Sequence, residues 1–301
     1  MVGPARKREA VGHLQRALEM SERRACKVVG QPRSTQRYLV APDTEELQLR
    51  QELRQISRQR PRAGYRMAAR CLRRSGWRIN DKRVQRLWRE EGLKVGRKPR
   101  KRTRLGSREQ GSQRLRAERP DQVWSYDFVQ DRTRDGRRLK LLCVVDEYTR
   151  ECLAIHVARQ IRSKEVIEVL DRLIRKRGAP EHLRSDNGPE FVARALQGWL
   201  LAKGVKTLYI SPGSPWENAY CESFHSRLRD EFLNREEFAT ELEARVLSAE
   251  WRRDYNEARP HSALGGQTPA EFAARCHVPV GAAPLPPHDS VITPKPQPNL
   301  S

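Results

Sequence analysis

Apolar positions along this chain follow two rhythms. Before residue 93 they recur at helical spacing. Leu14, Leu18, Ala25 and Val28-Val29 mark a short helical unit over 11–40, with a turn at Gly30 and Pro32 and a cap for the next helix at Ser34. A charged helix is expected over Glu45–Ser57, stopped by Arg60-Pro61, and another over Tyr65–Ser75, ended by Gly76. A further helix is expected over Asp81–Glu91, capped by Asn80 and stopped by Gly92. In it Val84, Leu87 and Trp88 fall at i, i+3 and i+4, which predicts a buried stripe opposite Lys82, Arg83, Arg86 and Arg89. Helix, glycine-containing turn and basic second helix is the pattern of a helix-turn-helix, so those four basic side chains are candidate DNA contacts.

From Val123 the rhythm shortens. Val123–Val129, Leu139–Val145 and Glu151–Val157 read as strands, the first two joined by a turn at Asp135-Gly136. A helix follows over Ser163–Arg177, with Val166, Val169, Leu170, Leu173 and Ile174 on its apolar face, Ser163 as cap and Gly178 as stop. His182–Ser185 is a short strand, Pro189–Lys203 a helix and Lys206–Ile210 a fifth strand. Helices are expected again over Pro215–Asn234 and Glu241–Asn256. A three-strand meander followed by alternating helix and strand implies an α/β fold with a mixed five-stranded sheet and flanking helices.

Charge sharpens this division. Residues 1–120 hold 34 Lys and Arg against 12 Asp and Glu, and the remaining residues hold 26 of each, so the whole formal excess of +22 lies in the first 120 residues. A cationic half beside a neutral half points to a polyanion-binding module attached to something else. Six of the eight residues from Arg97 to Arg104 are basic, so Lys98, Arg100, Lys101 and Arg102 are candidate phosphate contacts on a self-repelling strap. The expected organisation is therefore a helical region over 1–93, a basic linker over 94–120, an α/β core with C-terminal helices over 121–277 and a Pro-rich tail over 278–301. The six cysteines are scattered, which argues against a zinc knuckle or a disulfide framework and suggests a reducing compartment. No apolar run approaches the ~20 residues that span a bilayer, and no signal-peptide pattern opens the chain, so a soluble, cytoplasmic protein is expected.

Three acids occupy telling positions. Asp127 lies inside the first strand, where an unpaired carboxylate among aromatic neighbours would cost several kcal/mol. Asp186 directly follows the fourth strand, at the carboxyl end where open α/β sheets place ligands. Glu222 lies in a helix announced by the capping box Ser214-Pro215-Trp216-Glu217. On that helix Asn218, Glu222, Ser226 and Arg229 share one face, and Tyr220, Phe224, Leu228 and Phe232 an apolar one. Taken singly each acid has a bland reading. Together they form a set suited to hard cations.

The chain resembles the second-frame transposases of the insertion sequence three family, whose core is similar to the retroviral-integrase, ribonuclease-H-like fold. The resemblance rests on Asp127, Asp186 and Glu222 with 35 residues between the last two, and on Arg229 seven residues later. It rests also on Ser185–Phe191, Pro215–Ala219 with Glu222-Ser223-Phe224, and Tyr255–Leu264, and near the start on Ser21–Cys26 and Asn80–Val84. Arg stands at 229 where Lys is commoner, and His225 where a second Phe is usual. The resemblance implies a metal-dependent DNA strand transferase in which Asp127, Asp186 and Glu222 are both catalytic and metal-binding. It implies two Mg²⁺ ions, for which Mn²⁺ can substitute, with Arg229 and Asn218 as DNA contacts near the active site. DNA ends and target DNA, a homo-oligomer on DNA and an upstream-frame protein or fusion are the partners it implies. A ribonuclease-H-like nuclease and a non-catalytic helix-turn-helix regulator are the alternative readings.

Overall fold

A computed structural model describes residues 3–38, 44–94, 96, 115–186, 188, 190–191, 193–210 and 219–276. The expected basic strap at 97–104, the capping box at 214–217, Asn218 and the tail after 277 lie outside these residues. The chain divides into two compact units, 1–55 and 56–301, so the helices expected over 1–93 fall in both.

The first unit opens with α1 (Pro4–Ala17), α2 (Glu22–Val29) and α3 (Arg33–Arg37). Val11, Ala25 and Cys26 form its small core, with Leu14, Met20 and Val29 packed against them. Ser21 caps α2 by accepting from Arg24 N–H, and Gly30 ends it at φ 65°, a left-handed conformation that glycine adopts without strain. Ser34, expected as the next cap, lies inside α3 instead, because the helix starts directly after Pro32. Next in the chain comes α4 (Thr44–Gln59).

In the second unit α5 (Tyr65–Arg74) and α6 (Asp81–Glu90) form the helix–turn–helix pair. Asn80 Oδ1 accepts from Lys82 N–H at 2.9 Å, and Val84, Leu87 and Trp88 are buried, as the spacing predicts. Of the basic face, Lys82, Arg86 and Arg89 are exposed and Arg83 is half-buried.

The sheet consists of β1 (Val123–Arg132), β2 (Arg138–Asp146), β3 (Cys152–Ala158), β4 (His182–Ser185) and β5 (Lys206–Tyr209) in the order β3-β2-β1-β4-β5. The first three strands are antiparallel neighbours, and β4 and β5 run parallel to β1 and to each other. This is the mixed five-stranded sheet of a ribonuclease-H-like core. β1 is longer than expected, because its pairing with β2 runs on to Arg132 opposite Arg138, beside the Gly136 turn.

Strand alternation gives each face of the sheet its own layer. Trp124, Tyr126, Leu142 and Val144 pack with α7 (Ser163–Arg177) and α8 (Arg194–Ala202). Val129, Leu141, Cys143 and Val145 pack with α9 (Ala219–Leu228), the wide π turn Arg229–Leu233 that follows it, and α10 (Glu241–Glu257). The cap of α7 is formed at Arg162, whose N–H donates to Glu165 Oε2 at 2.9 Å, so the expected cap Ser163 is already helical. A short final helix, α11 (Pro269–Cys276), was not expected. Its start signal is in the sequence: Thr268 and Glu271 exchange hydrogen bonds through a capping box.

Candidate active site

Register builds the site. β1 and β4 run parallel, with Ser125 beside Arg184. Two residues further along, the same register brings Asp127, in the middle of β1, level with Asp186, just past the carboxyl end of β4. Asp127 points to the face covered by α9, because Ser125, Asp127 and Val129 alternate with the core residues Trp124 and Tyr126. Below the two acids, Arg184 Nε pairs with the fully buried Glu147 at 2.8 Å, and Ser125 Oγ donates to the same carboxylate.

Asp127 is largely buried, and its carboxyl is pushed up to about 6 by that burial and then by the negative charges of Asp186 and Glu222. The N–H of Phe128 donates to Asp127 Oδ1 at 2.7 Å and opposes the rise. Asp186 is exposed, and its Oδ1 accepts from Gly188 N–H at 3.0 Å. A Cβ at residue 188 would lie 3.0 Å from that same oxygen, so a side chain there requires the carboxylate to give by a few tenths of an ångström. Phe191 then anchors the segment: it stacks on Phe128 at 4.7 Å and meets Tyr126 edge-on at 4.3 Å. Glu190 pairs with Lys140, which also sits over the Phe128 ring. With Phe191 wedged into the core, α8 begins at Arg194 rather than at the expected 189.

On α9 the orientation of Glu222 agrees with the sequence pattern, and the apolar face agrees in part. Phe224, Leu228 and Phe232 are buried and Glu222 is exposed. Tyr220, expected with the aromatics, is half-buried and carries the Arg150 guanidinium 3.8 Å above its ring. Cys221 takes its place in the core. Arg229 is exposed at the start of the π turn and donates to Gln130 O on β1 at 3.3 Å. His225 was not singled out as a site residue, yet its Nδ1 lies 3.6 Å from Asp127 Oδ2. Burial and the charge of Arg229 lower its pKa to about 4, so the ring is neutral at pH 7.

The three side chains offer the chemistry a hard cation takes: carboxylate oxygens on two adjacent strands and a helix. Asp127, the innermost of the three, carries the mark of this in its raised pKa. Among the described residues no three His, Cys, Asp or Glu side chains lie close enough to hold one metal ion. Three like charges repel, and the backbone amides of Phe128 and Gly188 each hold one carboxylate oxygen, of Asp127 and of Asp186, beside its own backbone.

Comparison with known proteins assigns the same parts. Two integrase core domain family models match residues 117–215 and 203–269, and an HTH-like domain model matches residues 43–102. A protein of insertion element IS407 from Burkholderia multivorans is 44% identical over 87% of this chain and 94% of its own length. The chain belongs to this family of insertion-element proteins with an integrase core. A relative from insertion element IS476 of Xanthomonas euvesicatoria is 39% identical over 91% of this chain and 78% of its own length. InsK of Escherichia coli K12, named as a transposase for insertion sequence element IS150, is 31% identical over 73% of this chain and 80% of its own length. The HTH-like match covers α4 to α6, and the two core matches together cover the sheet, α9 and α10. Among the described residues no helix is long and apolar enough to cross a membrane.

Proposed function

We propose that this chain is the transposase of a bacterial insertion sequence, cleaving donor DNA ends and joining them to target DNA. The observation that carries the site assignment is the parallel register that sets Asp127 beside Asp186, with Glu222 close enough for its charge to raise the Asp127 pKa. Asp127, Asp186 and Glu222 would hold two Mg²⁺ ions, with Mn²⁺ as a substitute. When bound, such ions stabilise the attacking and leaving oxygens of an in-line phosphodiester displacement.

The chain's own residues orient and hold. The amides of Phe128 and Gly188 fix one oxygen of Asp127 and of Asp186. Neutral His225 limits the swing of Asp127 from the α9 side. Arg229, fixed against Gln130 O, presents a permanent positive charge to a phosphate beside Glu222. Asn218, four residues before Glu222 in the sequence, would contact the same DNA. Lys82, Arg83, Arg86 and Arg89 on α6 would meet the element's end, and Lys98, Arg100, Lys101 and Arg102 would follow its backbone. A homo-oligomer on DNA and an upstream-frame protein or fusion complete the reading.

Asp127→Asn, Asp186→Asn and Glu222→Gln should each reduce end cleavage and strand transfer to background, with end-DNA affinity unchanged. Gel assays of nicking and joining, run beside a binding titration, check this. Wild-type turnover by any one variant in Mg²⁺ would remove that residue from the site. Nicking without joining would favour a nuclease.

A further inference from the structure

A cavity of about 1190 Å³ opens between the segment Gln59–Arg70 and the helices α9 and α10. It exceeds the roughly 300–1,000 Å³ of small-molecule pockets. Among the described residues, eight arginines and four carboxylates line it. Three of the arginines are committed to acids: Arg60 to Asp254 at 2.6 Å, Arg62 to Asp230 at 3.0 Å and Arg259 to Glu231 at 2.5 Å. Arg66, Arg70 and Arg227 form no ion pair among the described residues. Arg66 and Arg70 stand one turn apart on α5, and Arg227 faces them from α9.

His261, within the Tyr255–Leu264 motif, reports the field inside. It is buried in the cavity wall, with its Nε2 3.3 Å from Tyr255 O. Burial, and then the charges of Arg259, Arg227 and Arg150, push its pKa down to about 3. An aromatic and apolar floor of Phe224, Trp251 and Tyr255 lies beneath the guanidinium groups. The cavity is distinct from the acidic site. On α9, Arg227 follows Glu222 by five positions and so projects about 140° away around the helix.

We propose that this cavity is a binding channel for the phosphate backbone of DNA, set on the opposite side of α9 from the catalytic carboxylates, with Arg66, Arg70 and Arg227 as its phosphate contacts. The proposal rests on the reading that this chain acts on DNA. Charge selects the occupant: unpaired guanidinium groups recognise phosphate, and a second copy of a chain with formal net charge +22 would bring more repulsion than complement. The channel joins α5, in the helix-turn-helix pair, to the helix that bears Glu222. One strand could therefore be held by both.

The test is a binding titration of the full chain with duplex carrying the element's end, in EDTA so that no chemistry intervenes, across a range of salt. Each lost phosphate contact lowers the slope of log affinity against log salt by about 0.9. The Arg66→Gln, Arg70→Gln, Arg227→Gln triple variant should bind with a slope shallower by about two to three. The matching triple Lys variant should keep the wild-type slope. If the Gln triple is destabilised, Arg227→Gln alone, on an exposed side chain, should lower the slope by about one. An unchanged slope in a folded Gln variant overturns the proposal. So does a weakened slope accompanied by loss of self-association in sedimentation, which would make the occupant a second copy. A strand-transfer assay on the wild-type chain reports separately on the transposase reading.

Discussion

His261 illustrates how far one residue's environment departs from its sequence context. Its pKa of about 3 against the ordinary 6.5 means that the unfolded chain takes up a proton that the folded chain refuses. The stability tied to this group is therefore complete above pH 6.5 and is lost as pH falls from there toward 3, at about 1.4 kcal/mol per pH unit. Between pH 7 and pH 5, the wild type should lose about 2 kcal/mol more than His261→Asn in urea unfolding. Equal losses would show that another group titrates. Gly188 is the opposite case, a residue whose need is local. The Asp-x-Gly spacing places its amide on the Asp186 carboxylate, and its missing side chain leaves that carboxylate room.

At the scale of the element, α9 carries three environments on ten residues. Phe224 is buried against Trp251 and Tyr255, with ring centroids 5.8 and 5.2 Å away. Glu222 is exposed and its charge acts on Asp127, and Arg227 lines the cavity. Phe224→Ala should cost about 3–5 kcal/mol in thermal or urea unfolding, the ordinary price of a buried Phe cavity. Arg229→Ala should leave the melting temperature nearly unchanged and slow end cleavage, and Arg229→Lys should slow it less, since a point charge is retained. Unfolding by Arg229→Ala together with a silent Phe224→Ala would mean that the helix is rotated and that Glu222 faces the core. The motif after α9 is also resolved into tasks. Asn256 exchanges two 2.9 Å hydrogen bonds with the backbone of Cys152 on β3, and Arg259 clamps the π turn through Glu231.

In the molecule as a whole, the second unit begins at Ile56, inside α4, and so includes the helix-turn-helix pair. Arg60–Asp254, Arg62–Asp230 and Arg74–Glu271 tie that pair to the helices after the sheet. All three are partly exposed, so each is worth at most about 1 kcal/mol. Residues 56–301 expressed alone should melt in one transition near that of the full chain. Residues 94–301, which lack the three arginines, should melt lower, and calorimetry on both fragments checks it. Equal melting temperatures would show that the helix-turn-helix pair adds nothing to the stability of the core.

Much of this architecture is written in short-range pattern. Strand alternation, helical stripes, the cap at Asn80 and the stops at Gly30, Gly92 and Gly178 depend on neighbours within a few residues, and periodicity exposes them. The positions of Asp127 inside β1 and of Asp186 just after β4 were legible for the same reason. The Thr268–Glu271 box was equally local and was simply overlooked. What only the tertiary structure decided are pairings between residues far apart in the chain. Arg60 meets Asp254 across 194 positions, Arg74 meets Glu271 across 197, and His225 reaches Asp127 only because α9 lies on one particular face of the sheet. An arginine looks the same in a sequence whether it is paired, stacked on a ring or aimed into a cavity. Packing alone distinguished Arg60 from Arg66, because the charge left to bind a ligand is the charge that folding has not already neutralised.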